Sequence, residues 1–181
     1  EPVKAPIEVR PLDEYLRTPI EKLSGPPAKS GKWKFYRGVN LNGPAITIDG
    51  NKWQGDDAPN FVCNDRAIDG PGVALMPPTN KARAKMIHSF RWNRGVKMKV
   101  TRVPRGRYAV YAYLWEDNNP ETLSISLQGK VVERNYYSGR QGQWRRLGPW
   151  ITNVNDGEIE ITSTGGAANF SGIEIWRAVE R

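Results

Sequence analysis

The sequence has one cysteine and one histidine, and this scarcity limits the chemistry that its side chains can supply. Cys63 has no second cysteine for an internal disulfide, and a zinc cluster needs more ligands than Cys63 and His88 provide. His88 is the one histidine available for a catalytic triad, but it lies in the strand-like run 86–90, where we expect a structural or surface role. The sequence therefore argues against structural zinc and against triad hydrolysis.

Long apolar runs are also missing. No run approaches the roughly 18 apolar residues of a membrane-spanning helix. The sequence does not open with a basic and then apolar leader, but a signal peptide that has been removed is not excluded. What the chain has instead is 18 glycines and 14 prolines in 181 residues. So many chain breakers indicate many turns, which is typical of a β protein rather than a helical one.

Negative charge is missing from one long stretch, although the chain as a whole carries both signs. Residues 81–107 contain no aspartate or glutamate and contribute +10, whereas the net charge of the chain is +8. The remainder therefore sums to −2. Such a basic stretch indicates an anionic partner, which is nucleic acid, an acidic polysaccharide or a membrane surface, unless it is the solvated face of a strand.

The first 32 residues differ from the rest in composition. Six prolines interrupt them, and residues 24–31 have the composition of a linker. Apolar residues recur at helical spacing between residues 12 and 23, but Pro19 limits any helix to short turns. We expect a short, partly helical N-terminal extension over residues 1–32 and a folded domain over residues 33–181.

From residue 33 onward, apolar and polar residues alternate with the period of a β-strand. Five runs show this pattern between turn-forming residues: 43–50, 96–103, 122–129, 157–162 and 172–176. The run 107–115 can be buried at nearly every position, as in a central strand covered on both faces. Nine or ten such runs predict an all-β fold, a jelly-roll-type antiparallel β-sandwich, with Lys97 and Lys99 on an exposed face.

Polar side chains follow the central strand directly. Glu116, Asp117 and Asn118 form a loop at the end of a rigid element, which is a favoured binding position, although a simple acidic turn is the alternative. Glu116 and Asp117 are poorly placed to flank one glycosidic bond, because adjacent residues of an extended chain point to opposite faces. The other acidic pair, Glu158 and Glu160, fits the wet face of a strand. These positions favour binding over hydrolysis.

The chain has seven tryptophans, and their surroundings divide them. Trp115 and Trp176 end apolar strands, so we expect them in the core. Trp53 and Trp92 lie beside turns among polar residues, where an indole suits the apolar face of a sugar ring and amides bind its hydroxyls, with structural packing as the alternative. Aromatic rings in a basic groove also bind single-stranded nucleic acid. No recognised nucleic-acid motif or phosphate-binding loop is present, so nucleic acid is not expected.

Six motifs, taken in order, resemble malectin and the malectin-like carbohydrate-binding modules. They are VNLNGPA (39–45), IDGNKW (48–53), RGRYAVYAYLWE (105–116), LSISLQGK (123–130), DGEIEI (156–161) and ANFSGIEI (168–175), which span about residues 36–177. The resemblance implies a galactose-binding-like β-sandwich that binds saccharide without catalysis in loops at one end, near Trp92, Glu116 and Asn169. Related modules often hold a structural calcium ion, but no ligand set is identifiable in this sequence, and no cofactor is expected.

The loop after Glu116 departs from that family. Members that bind glucosides have aromatic residues there, whereas this chain has Asp117, Asn118 and Asn119. The departure favours a more polar or a charged sugar.

Together these observations predict a non-catalytic carbohydrate-binding module that attaches a larger exported (secreted) protein to a polysaccharide. The predicted saccharide contacts are Trp53, Trp92, Glu116, Asp117, Asn118 and Asn169. The basic stretch favours a uronate-containing or sulfated glycan, and the candidates for binding its anionic groups are Arg91, Arg94, Lys97 and Lys99. A protein-interaction or structural β-sandwich is the alternative, and a polysaccharide lyase-like enzyme is the third hypothesis.

Overall fold

The alternating runs of the sequence form two antiparallel sheets in the computed structural model, which describes residues 23–28 and 31–179. In chain order the elements are β1 (Trp33–Asn40), β2 (Ile46–Ile48), β3 (Asn51–Trp53), β4 (Phe61–Cys63), β5 (Arg66–Asp69), α1 (Lys81–His88), β6 (Ser89–Asn93), β7 (Lys97–Val100), β8 (Gly106–Trp115), β9 (Thr122–Leu127), β10 (Lys130–Tyr137), β11 (Trp144–Val154), β12 (Ile159–Gly165) and β13 (Ala168–Ala178). The predicted all-β sandwich is confirmed.

Each of the two sheets has a defined strand order, in which neighbouring strands are hydrogen-bonded. The six-stranded sheet has the order β11-β8-β13-β6-β5, with β1 as its sixth strand beside β13, and the five-stranded sheet has the order β10-β9-β12-β7-β4. β13 pairs with β8 along one edge, and along its other edge it pairs first with β6 and then with β1. β2 and β3 form a separate hairpin. β13 is therefore the strand that holds the six-stranded sheet together.

The main core lies between the two sheets. β8 contributes every second side chain to it, and the opposing strands of the five-stranded sheet contribute theirs in the same alternation. The fully buried members include Tyr108, Val110, Ala112, Met98 and Ile125. The alternation seen in the sequence thus becomes the inner faces of a sandwich.

A second apolar layer covers the opposite face of β8. Tyr113 and Trp115 point away from the main core and pack with residues of α1, the β2–β3 hairpin and β11, among them Trp53, Met86 and Trp144. This layer explains why the run 107–115 is apolar at nearly every position, because β8 is buried on both faces as predicted.

Helix α1 was not predicted, and the prediction that residues 86–90 form a strand containing His88 is wrong. The Asn80 side chain accepts a hydrogen bond from the backbone N–H of Arg83 at 2.9 Å and caps the helix. His88 ends the helix, and its Nε2 lies 2.8 Å from the carbonyl oxygen of Val73. The His88 ring also packs edge-on against Trp115, so its role is structural, as expected.

Residues 23–28 contact the outer layer of the six-stranded sheet. The Tyr113 hydroxyl lies 3.1 Å from the carbonyl oxygen of Leu23 and 2.9 Å from a carboxylate oxygen of Glu174, and Arg146 donates to the carbonyl oxygen of Gly25. The start of the predicted linker is therefore packed on the domain. The helical turns predicted before Leu23 lie outside the described residues, and the boundary at residue 32 stays a prediction.

Candidate ligand-binding cleft

A cleft of about 290 Å³ opens at the edge of the six-stranded sheet where β8 ends and β13 begins. It is lined by Ile68, Phe90, Trp92, Arg94, Glu116, Asp117, Asn118, Glu121, Ala167 and Asn169. Five of the six residues predicted to contact saccharide line this one cleft, namely Trp92, Glu116, Asp117, Asn118 and Asn169. The structure brings them together from three separate parts of the chain, and their role in binding stays a prediction.

Strand register places the aromatic and amide groups of the cleft side by side. Trp92 on β6 lies opposite Asn169 on β13 and opposite Arg66 on β5, and residues directly opposite share one face of a sheet. The guanidinium carbon of Arg66 lies 5.0 Å from the centre of the Trp92 ring. The indole N–H of Trp92 is buried and has no hydrogen-bond partner among the described residues.

Glu116 fixes the loop that follows β8. Its side chain is 2% exposed. One carboxylate oxygen accepts from the backbone N–H of Asn118 at 3.0 Å, and the other accepts from the hydroxyl of Ser138 at 2.6 Å. Burial raises the pKa of the Glu116 carboxyl above its ordinary value, and the two hydrogen bonds partly offset that effect. Since both oxygens already have donors, Glu116 positions the loop.

Asp117 and Asn169 connect two loops across the cleft. The Asn169 side-chain N–H donates to Asp117 Oδ1 at 2.8 Å. Asn169 is 8% exposed, so its amide is held in place by its surroundings. The second carboxylate oxygen of Asp117 and the amide oxygen of Asn169 receive no donor from the described residues. They are fixed acceptors available to ligand hydroxyl groups.

The cleft therefore combines an apolar wall with directed polar groups. Ile68, Phe90 and Trp92 supply the apolar surface, and Ile68 is 42% exposed although it is a large hydrophobic residue. Asp117, Asn118 and Asn169 supply acceptors and donors beside this apolar surface. A small amphipathic ligand, with one apolar face and a rim of hydroxyl groups, matches this division.

The charge in the cleft is mixed. Arg94 lies 3.6 Å from Glu121, and 71% of the Arg94 side chain is exposed. Asp117 faces an amide instead of a cation. The one candidate cation that lines the cleft is thus already next to a carboxylate.

Trp53 does not line the cleft, and the prediction that it contacts saccharide is wrong. Trp53 is 3% exposed and packs edge-on against Tyr113 in the second apolar layer. Its ring lies so close to the backbone of Gly38 and Gly172 that a β-carbon at either position would collide with it. The polar residues around Trp53 in sequence form the hairpin turn, while the indole itself is core.

The two lysines of β7 in the basic stretch are not free cations. Lys97 and Lys99 share the outer face of β7, as the alternation predicts, but both face carboxylates on β12 and just before it. Lys97 Nζ lies 3.2 Å from Glu160, and Lys99 Nζ lies 2.7 Å from Glu158. The acidic residues of the predicted wet strand face therefore compensate these lysines.

Arg91 is also compensated. Its guanidinium forms an ion pair with Asp56 and donates to the carbonyl oxygen of Asp65 at 2.7 Å. The ion pair with Asp56 raises the pKa of Arg91, against the effect of burial. Of the four candidates for binding anionic groups, Arg91, Lys97 and Lys99 are thus engaged in ion pairs outside the cleft.

Two residues that shape the cleft were not predicted from the sequence: Ile68 in its lining, and Ser138, which binds Glu116 from behind the lining. Ile68 lies on β5, which is exposed at all four positions and so has no alternation that marks it as a strand. Ser138 reaches Glu116 because the backbone N–H of Ser138 pairs with the carbonyl oxygen of Glu121. Both positions depend on pairing between distant segments, which local sequence does not encode.

Metal ligands do not cluster in the parts of the chain that the structure describes: residues 23–28 and 31–179 contain no group of three or more histidine, cysteine or acidic residues able to hold an ion. Within the same ranges, no helix is long and apolar enough to cross a bilayer.

Several solved structures have a fold similar to that of this chain. No family model and no curated protein sequence matches this chain. The plant receptor-like kinase ANX2 superposes with a TM-score of 0.67 at 14% identity, over 82% of this chain and 49% of that one. The ANX1 ectodomain from Arabidopsis thaliana gives 0.67 at 12% identity over the same shares. β-Glucuronidase 2 of Bacteroides uniformis gives 0.62 at 20% identity, over 80% of this chain and 18% of that one.

These likenesses define the class of fold as an antiparallel β-sandwich. At these low identities they show the fold alone, and the fold is malectin-like, as the six motifs predicted. The chain spans about half the length of the ANX2 and ANX1 chains that it matches.

Proposed function

We propose that this chain is a non-catalytic carbohydrate-binding module. The observation that carries the proposal is the cleft itself, in which the indole of Trp92 stands beside the fixed pair of Asp117 and Asn169. A sugar ring packs its C–H groups on an aromatic face and directs its hydroxyls to fixed acceptors and donors. The malectin-like fold supports the proposal.

The state of the carboxylates supports binding without hydrolysis. Glycoside cleavage needs two available carboxyl groups on either side of the bond. Both oxygens of Glu116 accept hydrogen bonds from the protein, and Glu121 lies next to Arg94. In the cleft lining, Asp117 therefore has no second free carboxylate with which it could form the pair needed for cleavage.

The module is proposed to be part of a larger exported protein. In β-glucuronidase 2 of Bacteroides uniformis, the matching region is 18% of the chain, and in ANX1 the match lies in an ectodomain. Both relationships support attachment of a host protein to a polysaccharide outside the cytoplasm as the role of the domain.

An acidic glycan is the second candidate ligand. Arg66 lies over Trp92 and forms no ion pair with the described residues, and Arg94 is mostly exposed at the cleft. A uronate or sulfate group on the sugar would meet these two guanidinium groups. Arg91, Lys97 and Lys99 no longer support this extension, because each faces a carboxylate of the protein.

Affinity gel electrophoresis across neutral and acidic polysaccharides tests the proposal with the D117A variant. Asp117→Ala removes a charged acceptor from the cleft, so binding should weaken about tenfold or more. Its free energy of unfolding should fall by only about 1 kcal/mol, because the Asn169 amide loses one acceptor while Asp117 itself is partly exposed. Asp57→Ala, which removes an exposed carboxylate outside the cleft lining, is the matched control and should bind normally.

The outcomes separate the hypotheses. Absence of retardation on every polysaccharide would remove the proposal and leave the protein-interaction sandwich. Equal binding by D117A and D57A would show that the cleft is not the site. The acidic extension requires binding that weakens as salt is raised, and binding to neutral polysaccharides alone would contradict it.

A further inference from the structure

A second cleft, of about 350 Å³, lies beside β1, where the chain leaves β3. It is lined by Tyr36, Arg37, Gly38, Lys52, Gln54, Pro59 and Asn60, none of which lines the first cleft. Two of these residues are cations, and none is an aspartate or a glutamate. The cleft is therefore a separate cavity with a positive lining.

Arg37 is held rigidly in this cleft. It is 9% exposed. Its guanidinium donates to the carbonyl oxygens of Asn60 at 3.1 Å and Pro59 at 2.5 Å, and also to the side-chain oxygen of Gln54. These three bonds use one N–H on each nitrogen. Because a guanidinium has five N–H donors, one further donor remains on each terminal nitrogen.

The charge of Arg37 has no counter-ion within residues 23–28 and 31–179. Arg83, Arg91 and Arg146 each form an ion pair with a carboxylate, whereas Arg37 and Lys52 form none. Burial lowers the pKa of the Arg37 guanidinium, as expected for a cation that is removed from water without a carboxylate beside it. A buried cation without a partner is costly, and an anion in the cleft would relieve that cost.

We propose that this second cleft binds an oxyanion, a carboxylate or sulfate group, between the two unused N–H donors of Arg37 and the ammonium group of Lys52. A planar guanidinium that is already fixed in place suits two oxygens of one group, and Lys52 adds a mobile charge at the exposed side. Anchoring of Gln54 and of the loop 55–60 accounts for three donors of Arg37. This anchoring role does not explain why two further N–H donors of Arg37 are unused, why Lys52 lies in the same lining, or why a cavity is present. The site is independent of the saccharide cleft.

A free inorganic anion and a charged group on a polysaccharide share this chemistry. The full chain is therefore titrated separately with sodium sulfate and with tetragalacturonate, at constant ionic strength, and followed by the NMR signals of the Arg37 side chain and the Gly38 and Asn60 amides. Saturable shifts with either probe support the site. The probe that gives them identifies the source of the anion.

The Lys52→Gln variant separates anion binding from folding, because it leaves the hydrogen bonds of Arg37 intact. We expect it to weaken binding about fivefold, the value of one partly exposed charge pair. Lys130→Gln removes an exposed charge elsewhere and should leave binding unchanged. Arg37→Gln should abolish binding and also lower the melting temperature, because Pro59 and Asn60 lose their donors.

The proposal is overturned if neither probe shifts these signals saturably, or if K52Q and K130Q bind alike. Neither result would touch the carbohydrate-binding proposal, which depends on Asp117 and on the other cleft.

Discussion

Glu116 couples protonation to folding at the level of one residue. Burial raises its pKa above 4.5 in the folded chain, so the folded state keeps the proton at pH values where the unfolded state has lost it. The contribution of this group to stability therefore falls as pH rises from its ordinary pKa through the raised one. Glu116→Gln, which cannot ionise, should show a smaller fall in melting temperature between about pH 4 and pH 7. Parallel melting curves for E116Q and wild type across this range would contradict the assignment.

Gly38 is required by the ring that packs against it. A β-carbon at this position would lie 2.6 Å from Cγ of Trp53, so Gly38→Ala must displace a buried indole. We expect the free energy of unfolding to fall by about 1–3 kcal/mol in urea denaturation. Gly72→Ala is the matched control, because a β-carbon there would meet nothing within 4 Å. Equal loss in both variants would show that the close packing at Trp53 is not the cause.

The burial of Trp53 also shows where local sequence stops being informative. Its neighbours Lys52 and Gln54 are polar and favour an exposed ring, but the surface that buries it comes from Gly38 and Gly172, far away along the chain. Trp92 has equally polar neighbours and does line the cleft. The same local pattern therefore precedes opposite outcomes, and strand pairing decides between them.

Residues 23–28 behave as an element of the domain in their contacts. They supply acceptors to Tyr113 and Arg146, both of which are buried, and Leu23 packs on the second apolar layer. A chain that begins at residue 31 should therefore have a lower free energy of unfolding in urea than one that begins at residue 23, by about 1–3 kcal/mol, because the second apolar layer loses Leu23 and Arg146 loses its bond to Gly25. Circular dichroism measures both transitions. Coincident transitions would instead make residues 23–28 a linker and support a domain that starts at residue 33.

The elements themselves were predictable to different degrees. The sequence alternation located β7, β9 and β12 because each has one wet face, and the doubly buried β8 was evident from its continuous apolar run. α1 was missed because its basic residues hide its burial: Arg83 is 6% exposed and paired with Asp49. A cap at Asn80 is the local signal that could have found the helix.

At the scale of the whole molecule, the cations that cluster along the sequence are separated in the fold, where several of them pair with carboxylates from distant parts of the chain. The acid-free stretch 81–107 suggested a basic surface, yet four of its ten cations, Arg83, Arg91, Lys97 and Lys99, pair with Asp49, Asp56, Glu158 and Glu160 from other parts of the chain. The unpaired, buried cation is Arg37, which lies outside that stretch. Net charge and its clustering along the chain therefore indicated an anionic partner, but could not locate the cations that are left for it.

The pairing of β13 has a consequence for the order in which the fold is completed during synthesis. β1, β6 and β8 all precede β13 in the chain, and each takes it as a neighbour. Until residues 168–178 have been made, β1 lacks its long strand partner and β8 has an open edge, which is the kind of edge that invites pairing with other chains. β8 therefore stays uncovered along this edge while the residues between it and β13 are made, and a delay just before β13 is the step at which aggregation would compete with folding.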